Sequence, residues 1–128
     1  MMKYRVATSF LLLAGVASAS HAQRVDPRAA GARLDGAIVA GRAQAFGIAG
    51  PRTVTRSSTS ACTTHLVAGK ESWDIDWKTA TIDDESSATD LDITMGRPDA
   101  VFALSFGDRT QLRAARLAAK QLAAACAK

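Results

Sequence analysis

Between residues 72 and 78 the chain alternates without a break, with Trp73, Ile75 and Trp77 on one face and Asp74, Asp76 and Lys78 on the other. A period of two belongs to an extended strand with one buried side, so this run predicts a half-buried strand. The period recurs after a turn at Asp83-Asp84-Glu85-Ser86-Ser87, with Leu91, Ile93 and Met95 inward and Asp90, Asp92 and Thr94 outward. Gly96-Arg97-Pro98-Asp99 predicts a second turn, in which Pro98 supplies a preset φ, and residues 100–106 predict the last strand. With Pro98 and Asp99 as the loop residues, Met95 faces Phe102, Ile93 faces Leu104 and Leu91 faces Phe106, so the apolar sides agree across the hairpin.

After Gly107 the period lengthens. Leu112, Ala115, Ala119, Leu122 and Cys126 recur at spacings of three and four, which predicts a helix capped by Asp108 or Thr110 and running nearly to Lys128. Upstream of the alternating strands, residues 52–56 and 62–67 are rich in Thr, Val and Ser and read as one interrupted strand or two short ones, with a turn at Ala68-Gly69-Lys70-Glu71. Asp26-Pro27 has the form of a helix start, and Leu34, Ile38 and Ala45 would share a face of that helix. Glycines at 31, 36, 41, 47 and 50 each cost an interior helix about 1 kcal/mol, so residues 23–51 are expected to form a marginal docked helix or a flexible arm.

These elements predict an α+β fold: a small antiparallel meander of three or four strands packed against a C-terminal helix, within a single domain spanning residues 52–128. The chain has two cysteines, Cys62 and Cys126, and the helical stripe places Cys126 where it reaches a strand carrying Cys62. A disulfide between them would add roughly 4 kcal/mol in the chain-entropy model. No CxxC spacing or activating base accompanies them, which argues against redox or metal use.

The first 22 residues change the compartment. Lys3 and Arg5 precede an apolar run at residues 10–17, followed by Ala17-Ser18-Ala19 and Ser20-His21-Ala22, two small-x-small cleavage patterns. This is the form of a signal peptide, with cleavage after Ala22 favoured and a processed chain starting at Gln23. The short basic leader and Ala-rich cleavage zone have bacterial style, so the expected destination is the periplasm or the medium, an oxidising setting that suits the disulfide. The apolar run is shorter than the roughly 20 residues that span a bilayer, and no later run approaches that length.

The formal charge of +4 falls to +2 once Lys3 and Arg5 leave, with 14 basic against 12 acidic residues. Distribution matters more than the total. Residues 23–57 carry six Arg against Asp26 and Asp35, residues 58–107 carry three basic against nine acidic side chains, and residues 108–128 carry five basic against Asp108. If the hairpin around Asp84 closes with Asp76 opposite Asp92, then Lys78 faces Asp90 and Asp74 faces Thr94. Asp74, Asp76, Asp90 and Asp92 would then gather on one sheet face, a set of oxygen ligands for a hard cation such as Ca²⁺ or simply a solvated acidic surface. A calcium-loop reading of Asp74, Asp76 and Glu85 fails, because Lys78 and Thr79 occupy the fifth and sixth positions.

Arg109, Arg113, Arg116 and Lys120 form a basic strip on the last helix, able to meet phosphates, lipopolysaccharide, anionic lipid or an acidic partner, or to serve as a solvated flank. Without interleaved aromatic residues to stack on bases, nucleic acid ranks last among its partners. His65 is the one histidine left after processing, with Ser57, Ser58 and Ser60 among its possible partners, but no nucleophile motif surrounds it. Trp73 and Trp77 share an inward face and read as core. No cofactor motif is present. The leading expectation is a secreted or periplasmic non-catalytic protein that recognises a protein or envelope component as a binding or inhibitor-like module. The alternatives are an ion-binding module using the acidic sheet face or basic helix flank, and a small hydrolase centred on His65.

Overall fold

A computed structural model describes residues 26–48, 50–83, 88–96 and 100–127. Residues 1–22, expected to form a signal peptide, the turn expected at 84–87, Pro98-Asp99 and Lys128 lie outside the described residues. Helix α1 spans Pro27–Ala40, with Asp26 as N-cap accepting from Arg28 N–H at 3.1 Å and Pro27 in the first turn. Helix α2 spans Arg109–Cys126, and its N-cap is Asp108, whose carboxylate accepts from the N–H groups of Thr110 and Gln111 at 2.8 and 3.3 Å. Both starts follow the same rule: a short acceptor side chain satisfies backbone donors that the first turn leaves open.

Among the described residues eight strands lie between the helices: β1 (Gln44–Gly47), β2 (Gly50–Thr53), β3 (Arg56–Ser60), β4 (Thr63–Ala68), β5 (Glu71–Asp76), β6 (Ala80–Ile82), β7 (Asp90–Met95) and β8 (Val101–Ser105). They form two antiparallel sheets, ordered β2-β1-β8-β7-β6 and β3-β4-β5. The α+β class and the antiparallel pairing hold, while the strand count exceeds the three or four expected. Part of the difference is β1, which lies in the segment expected as a helix or arm, and part arises at two bends. Residues 50–60 serve one sheet as β2 and the other as β3; the switch is visible where Val54 N–H donates to Ala43 O and the next N–H, of Thr55, donates to Val67 O on the opposite edge. Residues 71–82 do the same as β5 and β6. The two sheets are thus joined through the chain at these bends, and within the larger sheet β8 pairs back onto β1.

The second bend corrects the alternating run at 72–78. The strand ends at Asp76, whose carboxylate accepts from Lys78 N–H at 3.0 Å, and Trp77 sits fully buried in the corner. Inward and outward faces are as the alternation predicts, but the partner of β5 is β4. On the next hairpin Ile93 faces Phe102 and Leu91 faces Leu104, a shift of two residues from the expected register. Met95 N–H donates to Ala100 O, so the connection spans residues 96–99 where a two-residue loop was expected. A two-residue shift keeps every side chain on its own face, which is why the apolar pattern cannot distinguish the two registers.

The two helices pack on each other and on the inner faces of the sheets, α1 against β3 and α2 against β6 and β7. Leu34 and Ile38 are buried as expected, but Ala45 belongs to β1 and enters the core from there. All five residues of the α2 stripe are buried, and Cys126 is joined to Cys62 with a Cα–Cα distance of 5.8 Å. Cys62 occupies the turn between β3 and β4, not a strand, and the bond fastens that turn to the last turn of α2.

A polar chain secures α1. The Asp35 carboxylate accepts from Ser57 Oγ at 2.6 Å, Thr59 N–H at 2.8 Å and Thr59 Oγ1 at 2.8 Å. Because a carboxylate only accepts, the Thr59 hydroxyl hydrogen is committed to it. The 2.7 Å contact between Thr59 and Thr64 is then donated by Thr64, whose oxygen accepts Trp77 Nε1–H at 2.8 Å. The relay runs Trp77, Thr64, Thr59, Asp35, and joins the β5–β6 bend, β4, β3 and α1.

The glycines of α1 differ in what they do. A Cβ on Gly31 would lie 2.6 Å from Thr59 Cγ2, against a side chain that the relay holds in place, whereas nothing lies within 4 Å of a Cβ on Gly36. Gly36→Ala should therefore raise stability by about 1 kcal/mol through helix propensity alone. Gly31→Ala gains the same propensity but overpacks the contact, with a net loss of about 1 kcal/mol. Urea unfolding of the two variants reads both signs.

Candidate functional site

The acidic residues do not meet as the sequence suggested. Asp74 and Asp76 lie on β5 opposite His65 and Thr63, while Asp90 and Asp92 lie on β7 opposite Ser105 and Ala103. The hairpin around Asp84 pairs β6 with β7, with Thr81 opposite Thr94 and Ala80 opposite Met95, so the register that would set Asp76 against Asp92 is replaced by the bend at 77–79. The two pairs belong to different sheets, and no cluster of three or more His, Cys, Asp or Glu side chains suited to a metal ion occurs among the described residues.

His65 stands on the outer face of β4, with Ser58 of β3 on one side and Asp74 of β5 on the other. Its Nδ1 lies 2.6 Å from Asp74 Oδ1, and the two side chains are 47% and 67% exposed. A pair this open to water contributes between zero and about 1 kcal/mol. Asp74 could orient the imidazole, and Ser58 is the serine that the sheet brings beside it. All three stand on an open strand surface, where water competes for each polar contact.

The basic strip is divided. Arg109, Arg113 and Lys120 are exposed on α2, whereas Arg116 is half-buried and its Nη2 donates to Asp90 O at 3.2 Å. Arg116 therefore faces β7 and binds α2 to the five-stranded sheet.

The feature that the sequence reading passed over is the β1–β2 hairpin, which falls inside the segment read as a helix or arm. Gly47 pairs with Gly50 across it, and Ile48 at its tip is wholly exposed. Phe46 on β1 and Val101 on the neighbouring β8 are exposed as well. The tip is braced from behind. Glu71 accepts from Ile48 N–H at 3.0 Å, and Arg52 Nε lies 3.8 Å from the same carboxylate. Gly47 lies against that carboxylate so closely that a Cβ there would collide with it. Any side chain at 47 would displace the brace, so glycine is what lets the hairpin sit down on Glu71. The available sequence signal was the pair of glycines bracketing two residues after an apolar Phe46, a hairpin spacing. Glu71→Ala should release the Ile48 amide, raising its hydrogen-exchange rate by more than about tenfold, as expected for loss of a charge-assisted bond.

Comparison with protein-family models, curated proteins and solved structures gives no match to this chain. No described helix is long and apolar enough to cross a membrane.

Proposed function

We propose that this protein is exported and acts without catalysis, presenting the β1–β2 hairpin to an apolar cleft on a protein partner in the manner of a binding or inhibitor-like module. One observation carries the reading: a fully exposed Ile48 sits on a tip that Glu71 braces. Large apolar side chains at a protein surface cost solubility, and bracing one before it meets its partner lowers the entropy lost on binding. Phe46 and Val101 extend the apolar contact, and Arg52 and Lys70 beside Glu71 supply a polar rim. Export is supported by Lys3, Arg5, the apolar run and the cleavage pattern at Ala22, together with the disulfide.

Two measurements test this. Intact mass of the secreted protein should show loss of residues 1–22 and a two-hydrogen deficit that reduction removes. A photo-crosslinking residue at position 48 should form one adduct with an envelope protein that wild-type chain competes away and Ile48→Asp does not. The same probe at Asp76 should form none. If position 48 yields no adduct, or if Ile48→Asp competes as well as wild type, the hairpin is not the recognition surface.

A further inference from the structure

The α1–α2 layer forms a second surface, separate from the hairpin. On α1 the positions opposite its buried stripe are Arg28, Ala32, Gly36 and Val39; on α2 they are Arg109, Arg113, Leu117, Lys120 and Ala124. Among the described residues the layer has three side-chain carboxylates, and each has a structural task. Asp26 and Asp108 cap the helices, and Asp35 ends the polar relay. None of the three stands at an outward position of the layer, where Arg28, Arg109 and Arg113 are exposed. Arg28, Arg33, Arg109 and Arg113 take part in no ion pair among the described residues, and Arg33 is bonded at 2.8 Å to the neutral Gln121 across the helix seam.

Within this cationic field lie two exposed aliphatic side chains. Leu117 is 57% exposed and falls four residues after Arg113 and three before Lys120, in the middle of the strip; Val39 is exposed on α1. Around them the face consists of small residues, Ala32, Gly36 and Ala124, which allow a flat approach. The outward carboxylates Asp74, Asp76, Asp90 and Asp92 belong to the sheets, so the helix layer is the side on which cations stand without carboxylates among them.

We propose that the outer face of the α1–α2 layer docks on an anionic lipid bilayer, with Arg28, Arg109 and Arg113 at the headgroup phosphates and Leu117 and Val39 entering the interface. Charge complementarity supplies the attraction. The central leucine favours a bilayer over a soluble polyanion, because a polyanion offers it no apolar phase. The inference is independent of the hairpin reading.

The test uses the processed chain from Gln23, since an attached apolar leader would itself enter membranes. It should float with vesicles of equal parts phosphatidylcholine and phosphatidylglycerol, should not float with phosphatidylcholine alone, and should be released by high salt. Loss of one cation near an anionic surface weakens binding roughly fivefold, so Arg109→Gln with Arg113→Gln should weaken it about 25-fold. Leu117→Asn should weaken vesicle binding severalfold while leaving elution from a heparin column unchanged. All three positions are exposed, and unchanged melting temperatures check that the fold persists. Ile48→Asp should leave vesicle binding intact, which separates this surface from the hairpin. Failure to float with the anionic vesicles overturns the proposal, and heparin retention without flotation assigns the face to soluble polyanions instead. Flotation that neither the double Gln variant nor Leu117→Asn reduces overturns it as well.

Discussion

Replacing Cys62 and Cys126 with serine will lower the unfolding free energy by about 4 kcal/mol, because the bond closes a loop with a sequence separation of 64 and its loss restores that freedom to the unfolded chain. For a domain of this size such a loss is a large fraction of the total stability. The native contacts set where the effect shows first. Cys126 is in the last turn of α2, and Cys62 is in the turn whose carbonyl accepts Trp77 N–H at 2.8 Å. Release of the tie should fray the end of α2 before the helix melts as a whole, so amides near Leu122 and Cys126 should lose exchange protection ahead of those near Leu112. Denaturant unfolding with and without reductant gives the magnitude, and hydrogen exchange gives the order. A change below 1 kcal/mol would mean that packing of the α2 stripe alone holds the helix.

Asp35→Ala is expected to cost about 3 kcal/mol, more than an ordinary surface aspartate, because it leaves Ser57 Oγ, Thr59 N–H and Thr59 Oγ1 without their acceptor. The effect should propagate. Once the Thr59 hydroxyl is no longer committed to the carboxylate, the direction of the Thr59–Thr64 bond is free to reverse, and the acceptor that Thr64 offers Trp77 is no longer unique. A double-mutant cycle of Asp35→Ala with Trp77→Phe should therefore show a coupling of more than about 0.5 kcal/mol, even though one residue is on α1 and the other at the β5–β6 bend. Additive effects would show that the relay is a set of independent bonds. Asp35→Asn tests the charge: its amide oxygen keeps an acceptor but halves the acceptor set, so it should fall between wild type and alanine.

The two effects were not accessible to the sequence in the same degree. The disulfide was, because helix periodicity put Cys126 on the buried stripe and the chain offers one partner for it. The Asp35 relay was not. Asp35 appears in sequence as one of two acids among six arginines in the first segment, and nothing local marks it as the acceptor for residues more than twenty positions away. The candidate surfaces divide similarly. The exposed cations of α2 were legible from their spacing, although Arg116 proved to bind the Asp90 carbonyl. Ile48 was hidden within an Ala/Gly-rich stretch whose composition speaks equally for helix, arm or hairpin.

What the sequence determined on its own is whatever depends on a local period or a local cap. The α2 stripe, the Asp26 and Asp108 caps, and the inward faces of β5, β7 and β8 all follow from neighbours within four residues. Only the tertiary structure decided which strand lies beside which. Alternation specifies a face but not a partner, so it could not reveal that β5 pairs with β4, that the chain bends at Trp77 to enter the second sheet, or that the β7–β8 register slips by two. Those choices depend on the summed burial of one shared core, which no single segment contains, and they placed Asp74 beside His65, kept Asp76 apart from Asp92 and left Ile48 at an exposed tip.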